Sequence, residues 1–187
     1  DVALSSFPLL SHRSVKRKAY VVVAADRGLA GAFNTNLLKK AESEINKFGK
    51  EKTDIFCIGK KSRDYFTKRD YNVVGSFTDF WSEMEFDTAM MIGRSVISHF
   101  LNEKVDEVVV VYNYFLNVVQ QEVRSEKLLP LSFNKSQNVT LDRLYEPTKE
   151  QLIETLIPRH LNVQMWKFLL ESLSLIHISE PTRHRGI

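Results

Sequence analysis

Apolar residues along this chain fall into two rhythms: short unbroken runs, and longer stripes with one apolar position every three or four residues. The run Tyr20-Val21-Val22-Val23-Ala24 contains three consecutive β-branched residues and fits a strand covered on both faces, as parallel strands are. Gly28 and Gly31 then let the backbone turn sharply. Leu37, Leu38, Ala41, Ile45 and Phe48 recur at helical spacing, with Gly49 placed to end that helix. A second strand, Asp54 to Ile58, leads into a helix over Lys61–Lys68 that carries Tyr65 and Phe66, and a short third strand is expected near Val73-Val74. Ala89, Ile92, Val96, Ile97, Phe100 and Leu101 form another helical stripe before the buried run Val108 to Val111. Strands and helices in alternation predict an α/β fold, a mostly parallel sheet with flanking helices and right-handed crossovers.

Beyond that run the pattern changes. Between Asn117 and Lys127, Val119 and Val123 are mixed with Gln120, Gln121, Glu122, Arg124 and Glu126, so one face is solvated. This reads as an antiparallel edge strand paired with its predecessor, with charges that discourage stray pairing. Residues 133–138 read as loop, followed by a short strand over Val139–Tyr145. A helix starts at Thr148, with Glu150 or Gln151 close behind, and is expected to break or restart near Pro158. The last stripe, Leu161, Met165, Phe168, Leu169 and Leu173, places Trp166 on another face and reads as an amphipathic helix docked on its own domain. From His160 to Leu173 that helix would span about 21 Å.

The glycine turns raise the question of phosphate binding, because N–H groups at a helix start point at any anion lodged there. The patterns do not fit. A dinucleotide fingerprint needs G-x-G-x-x-G, but position 26 is Asp26 and only Gly28 and Gly31 are present. Gly59-Lys60-Lys61 resembles the end of a P-loop, but its first glycine would fall at Asp54 and its hydroxyl at Lys61. Both turns therefore read as structural.

Asp26-Arg27-Gly28-Leu29-Ala30-Gly31-Ala32-Phe33-Asn34 resembles the segment after the first strand of the F-type ATP synthase gamma subunit, the central rotor stalk. Other blocks agree in order: Gly59-Lys60-Lys61 with Asp64-Tyr65-Phe66, Val111 to Phe115, Leu128-Leu129-Pro130-Leu131, Tyr145-Glu146-Pro147, Leu156-Ile157-Pro158 and Leu170-Glu171-Ser172. The resemblance covers about residues 8–173. It implies a Rossmann-like foot domain over 20–147, a linker over 1–19 left after a missing N-terminal helix, and the start of a C-terminal coiled-coil helix over 148–173. It makes Asp26, Arg27, Gly28, Leu29, Gly31 and Asn34 signature residues with a structural or interface role. Leu161, Met165, Phe168 and Leu169 would belong to the stump leading towards the shaft. Implied partners are the epsilon subunit, the membrane c-ring and, through the missing helices, the alpha/beta catalytic hexamer. The implied role is to couple proton flow to ATP synthesis mechanically, without a cofactor, metal or catalytic residues of its own. Ala30 with Phe33-Asn34 is closer to bacterial members, which places the protein peripherally on the cytoplasmic face of the plasma membrane; the mitochondrial matrix side is the alternative. As 187 residues without the shaft, the chain is not expected to support coupled synthesis. After Ser174 it departs from the family, and Leu175 to Arg183 resembles a translated adapter or vector segment, so 174–187 reads as a non-native tail.

Composition narrows the competing readings. A hydrophobic content of 43% in 187 residues supports one domain with a sizeable core. A net charge of +3 is too small to demand nucleic acid, so a basic nucleic-acid-binding module is disfavoured. The sole cysteine, Cys57, lies in an apolar strand and reads as a core residue. The five histidines, His12, His99, His160, His177 and His184, are scattered and form no metal-ligand pair, and His99 reads as a boundary residue of its helix. Asp26, Asp54 and Asp106 flank strands, where acids commonly begin or end elements, and Asp26 is placed to pair with Arg27 or with a partner chain. A Rossmann-like nucleotide-binding enzyme remains the alternative function.

Overall fold

The computed structural model describes residues 7–26, 31–117, 120–132 and 148–179. Five strands form one sheet: β1 (Lys18–Val23), β2 (Thr53–Ile58), β3 (Val73–Phe77), β4 (Glu107–Phe115) and β5 (Gln121–Leu129). Their order is β3-β2-β1-β4-β5. β1 lies parallel to both β2 and β4, β2 is parallel to β3, and β5 runs antiparallel against β4. Four helices join them: α1 (Gly31–Phe48), α2 (Lys60–Thr67), α3 (Phe86–Leu101) and α4 (Lys149–Ser179).

The central strands are apolar on both sides because each side meets helices. Tyr20, Val22, Ile55, Cys57, Val109 and Val111 face one core with Leu37, Leu38, Ala41 and Ile45 of α1 and Phe66 of α2. Val21, Val23, Phe56, Ile58, Val108, Val110 and Tyr112 face the other, against Ile92, Val96 and Phe100 of α3 and Leu161, Met165, Phe168 and Leu169 of α4. β5 is buried on neither side until Leu128 and Leu129, as its charged sequence requires of an edge strand. α3 and α4 approach closely at Gly93, where a Cβ would come 2.9 Å from Asn162 Oδ1.

Three expectations change, and one choice between two readings is decided. β3 runs on to Phe77 rather than ending near Val74. Part of the stretch assigned to a linker through residue 19 belongs to the domain: β1 starts at Lys18, and Phe7, Leu9 and Leu10 are buried in the α3–α4 core. α4 passes through Pro158 without interruption and extends to Ser179. Pro158 and Glu154 are both exposed, so water can reach the carbonyl that loses its N–H partner, while Ile157 and Leu161 hold the helix down on either side. At 31 residues α4 is about 46 Å long, not the shorter piece that its most regular stripe suggests. Finally, of the two readings given for Leu161, Met165, Phe168 and Leu169, the side chains fit the helix docked on its own domain: all four are at most 2% exposed, inside the domain. The strand expected over Val139–Tyr145 and the residues from Glu180 onward lie outside the described residues.

The orientation of α4 can be checked by truncation. Leu161→Ala should cost about 2–5 kcal/mol of unfolding free energy, whereas Val163→Ala, at a position 53% exposed, should stay within about 0.5 kcal/mol. Urea unfolding of the two variants measures both.

Candidate functional site

The carboxyl edge of the sheet is where ligands enter open α/β folds, at the crevice where strand order reverses, here between β1 and β4. Asp26 stands at that edge, but its carboxylate is already engaged. Lys60 N–H donates to Oδ1 at 2.7 Å and Asp79 N–H donates to Oδ2 at 2.8 Å. One acid therefore occupies the start of α2 and ties the end of β1 to the turn after β3. Lys60 Nζ pairs with Asp79 across the same turn. Gly59, at φ +92°, makes the passage possible: a Cβ there would come 1.9 Å from the Ala24 carbonyl oxygen. A carboxylate lodged at the first N–H of α2 excludes phosphate from that place by charge and by occupancy. The Gly59-Lys60-Lys61 turn is thus a structural brace. Asn34, in the first turn of α1, is 5% exposed and accepts a 3.3 Å hydrogen bond from Ala25 N–H through Oδ1. Gly31 begins α1. Arg27, Gly28 and Leu29 lie outside the described residues. Of the signature residues, then, Asp26 and Asn34 both hold the chain just after β1, the first by its link to α2 and the second by its link to α1.

The amino edge carries a buried polar cluster that the sequence does not announce. Asp54 at the start of β2 is 4% exposed. Its Oδ1 accepts from Arg17 at 2.7 Å and from Asn72 at 2.8 Å, and its Oδ2 lies 2.7 Å from His99 Nε2. The His99 ring meets Phe56 edge-on at 5.3 Å. His99, expected as a plain boundary residue, therefore joins α3 to β2. Burial pushes the Asp54 carboxyl upward, but the hydrogen bonds from His99, Asn72 and Arg17 outweigh it, leaving its pKa below the ordinary Asp value. These partners come from 18 to 45 positions away in the chain, so no local spacing could have joined them.

A third feature lies on the outer side of α4. Leu156, Val163 and Leu170 are 49%, 53% and 40% exposed. They are seven residues apart and so share one side of the helix. Val163 stands two residues from both Leu161 and Met165, about 200° round the helix from each, which puts this stripe opposite the buried one. The seven-residue interval was visible in the sequence, but the stronger stripe next to it drew the reading. Trp166, at the border, stacks edge-on against Phe86 of α3 at 5.8 Å. Among the described residues no cluster of His, Cys, Asp or Glu could hold a metal ion, and no helix is long and apolar enough to cross a membrane.

The family model described as ATP synthase matches residues 2–179. The chain belongs to the ATP synthase gamma family. It is 38% identical over 175 residues to the ATP synthase gamma chain of Amoebophilus asiaticus, covering 91% of this chain and 60% of that one. With the gamma chain of Cytophaga hutchinsonii it shares 40% identity over 180 residues, again covering 91% of this chain and 61% of the relative. This gamma-family chain therefore spans about 60% of the length of the curated relatives it matches. In fold it is similar to the central stalk and c-ring structure of Tetrahymena thermophila mitochondrial ATP synthase, with a TM-score of 0.75 at 20% identity, covering 94% of this chain and 80% of that one. The rotor of Euglena gracilis mitochondrial ATP synthase matches with a TM-score of 0.64 at 19% identity, covering 95% and 72% of the two chains.

The amino-edge cluster of this gamma-family chain predicts acid sensitivity. A carboxylate whose folded-state pKa is depressed contributes stability that is complete above its unfolded value, about 3.9, and is lost as pH falls through the folded value. Asp106, also depressed, acts in the same window. Urea midpoints measured from pH 7 to pH 2.5 should hold to about pH 4 and fall steeply below it, and Asp54→Asn should be less stable at pH 7 with a shallower acid limb. An unchanged acid limb would remove Asp54 from this role.

Proposed function

We propose that the intact protein is the gamma subunit of a rotary F-type ATP synthase, and that the residues here form its globular foot and the beginning of its shaft. The observation that carries the reading is a row of three exposed apolar residues on the outer side of α4, between charged ones. Counted only to Leu173, where the family resemblance ends, α4 is still about 38 Å long and outruns the longest strands beneath it, which have nine residues, or about 30 Å. Its buried side is complete with Ile157, Leu161, Met165, Phe168 and Leu169. Leu156, Val163 and Leu170 then remain one per heptad, the spacing of one of the two apolar positions that a two-helix seam uses. The seam residues are therefore these three, on the face opposite the four that the resemblance pointed to, and their partner is the N-terminal helix that the longer relatives have room for.

The role is mechanical. The foot docks on the epsilon subunit and the c-ring, the shaft reaches into the alpha/beta hexamer, and rotation of one drives the other; the gamma subunit makes and breaks no bonds. The bacterial relatives support a position at the membrane surface on the cytoplasmic face. The nucleotide-enzyme alternative has no observation in its favour: the glycine patterns fail, and Asp26 occupies the anion position at α2.

Calorimetry of the 187-residue chain against a bacterial epsilon subunit tests the reading, with ATP and NAD as controls. Binding at micromolar Kd or tighter with no heat from either nucleotide is expected. Nucleotide binding without affinity for epsilon would overturn it. On the seam, Val163→Asp with Leu170→Asp should lower the unfolding free energy of this chain by only about 1–1.5 kcal/mol while preventing the full-length subunit from assembling.

A further inference from the structure

The net charge of +3 is not spread evenly over the fold. Residues 31–70, which supply α1 and α2 on one side of the sheet, carry ten Lys and Arg against six Asp and Glu; residues 79–106, which supply α3 on the other side, carry two against six. The acids of α1 do little to offset this, because they are turned to neighbours: Glu42 accepts hydrogen bonds from the Tyr65 and Tyr71 hydroxyls, and Glu44 accepts one from Ser125 Oγ at 2.7 Å. Asp64 is paired with Arg63 at 2.9 Å, and the exposed Glu51 and Asp70 stand at the amino edge just ahead of β2 and β3. Two more basic groups are held in place: Lys40 Nζ donates to the Val123 carbonyl at 2.7 Å, and the Arg69 guanidinium lies 3.6 Å over the Tyr65 ring. Lys39 and Lys47 on α1, Lys61 on α2 and Lys68 at its end are exposed, and their ammonium groups have no ion pair or hydrogen bond among the described residues. A helix face that only needs to be wet interleaves both signs, often as pairs one turn apart. Four unneutralised lysines on adjacent helices instead make a field of one sign, which draws in an acidic surface. Phe33, 37% exposed, adds an aromatic group on the same side of α1, seven residues before Lys40 and fourteen before Lys47.

We propose that this α1–α2 face, built on Lys39, Lys47, Lys61 and Lys68, is where the foot docks an acidic protein partner of the stalk. It rests on the stalk reading above and gives that reading a face. A protein suits the face better than nucleic acid does. Single-stranded nucleic acid is held by aromatic platforms and arginines that stack on its bases, whereas Arg63 and Arg69 are already engaged and Phe33 is the one exposed aromatic residue of the face among the described residues. Charges that steer the approach, beside a single aromatic anchor, match the way proteins recognise each other.

Calorimetry of the 187-residue chain against a bacterial epsilon subunit, at low and high salt, tests the face with three double variants. Two are Lys39→Glu with Lys47→Glu and Lys61→Glu with Lys68→Glu; the third, a control with the same change in net charge, is Lys104→Glu with Lys167→Glu, exposed positions outside α1 and α2. Each of the first two should weaken binding by about tenfold or more and flatten its salt dependence, while the control stays within about twofold. The two test pairs sit on different helices, so misfolding of one, read from its urea midpoint, leaves the other to decide; misfolding of both would overturn the face by making its lysines part of the fold's own support. Unchanged affinity in both test pairs, or equal weakening by the control, would overturn the face and leave the stalk reading in place. A single-stranded DNA oligonucleotide bound by the unsubstituted chain and released by the same substitutions would also overturn it, assigning the lysines to nucleic acid. Absence of epsilon binding by the unsubstituted chain would instead overturn the stalk reading, and the docking face with it.

Discussion

A parallel sheet has no face that can be left to water, and this constraint organises the molecule. β1 has neighbours on both sides in the sheet and apolar residues on both faces, so two layers of cover are obligatory. One layer comes cheaply in topology, because α1 and α2 are the crossovers that link β1 to β2 and β2 to β3. The other has only α3 from a crossover, and the remaining area above β1 and β4 is covered by α4 and the Phe7–Leu10 strap. The C-terminal helix is thus a structural part of the domain before it is anything else. Only because its inner side is committed can its outer side hold a partner without the domain coming apart.

The polar groups at the two sheet edges work differently from the core. At the carboxyl edge a single acid, Asp26, bonds two backbone N–H groups, at the start of α2 and in the turn after β3. At the amino edge Asp54 and Asp106 collect donors from the residues before β1, from α3 and from the turn before β3. Each carboxylate that loses water regains several donors, the condition under which burying charge is tolerable. Both sheet edges are thereby tied by directional bonds as well as by the core.

The sequence was most legible where the chemistry is local. Val21 to Val23, Ile55 to Ile58 and Val108 to Val111 announce buried strands, and the charged run through Glu122, Arg124 and Glu126 announces the antiparallel edge. Block resemblance carried the family. What stayed hidden depends on tertiary position. Pro158 should end a helix by local rules, yet its exposed setting and the buried residues on either side override them. The stripe Leu161 to Leu169 read correctly as a helix docked on its own domain, whereas the resemblance alone pointed it towards the shaft. The tie between Asp54 and His99 joins residues 45 positions apart, and neither type alone implies the other.

The central claim is that α4 gives one side to its own sheet and keeps the other for a second helix. Thiol labelling of a single cysteine introduced as Val163→Cys or as Leu161→Cys, in the 187-residue chain and again in the full-length subunit, tests it directly, since the native Cys57 is buried. The account predicts rapid labelling at position 163 in the 187-residue chain, protection there in the full-length subunit, and protection at 161 in both. Equal labelling at 163 in the two forms, or ready labelling at 161 in the 187-residue chain, would contradict it.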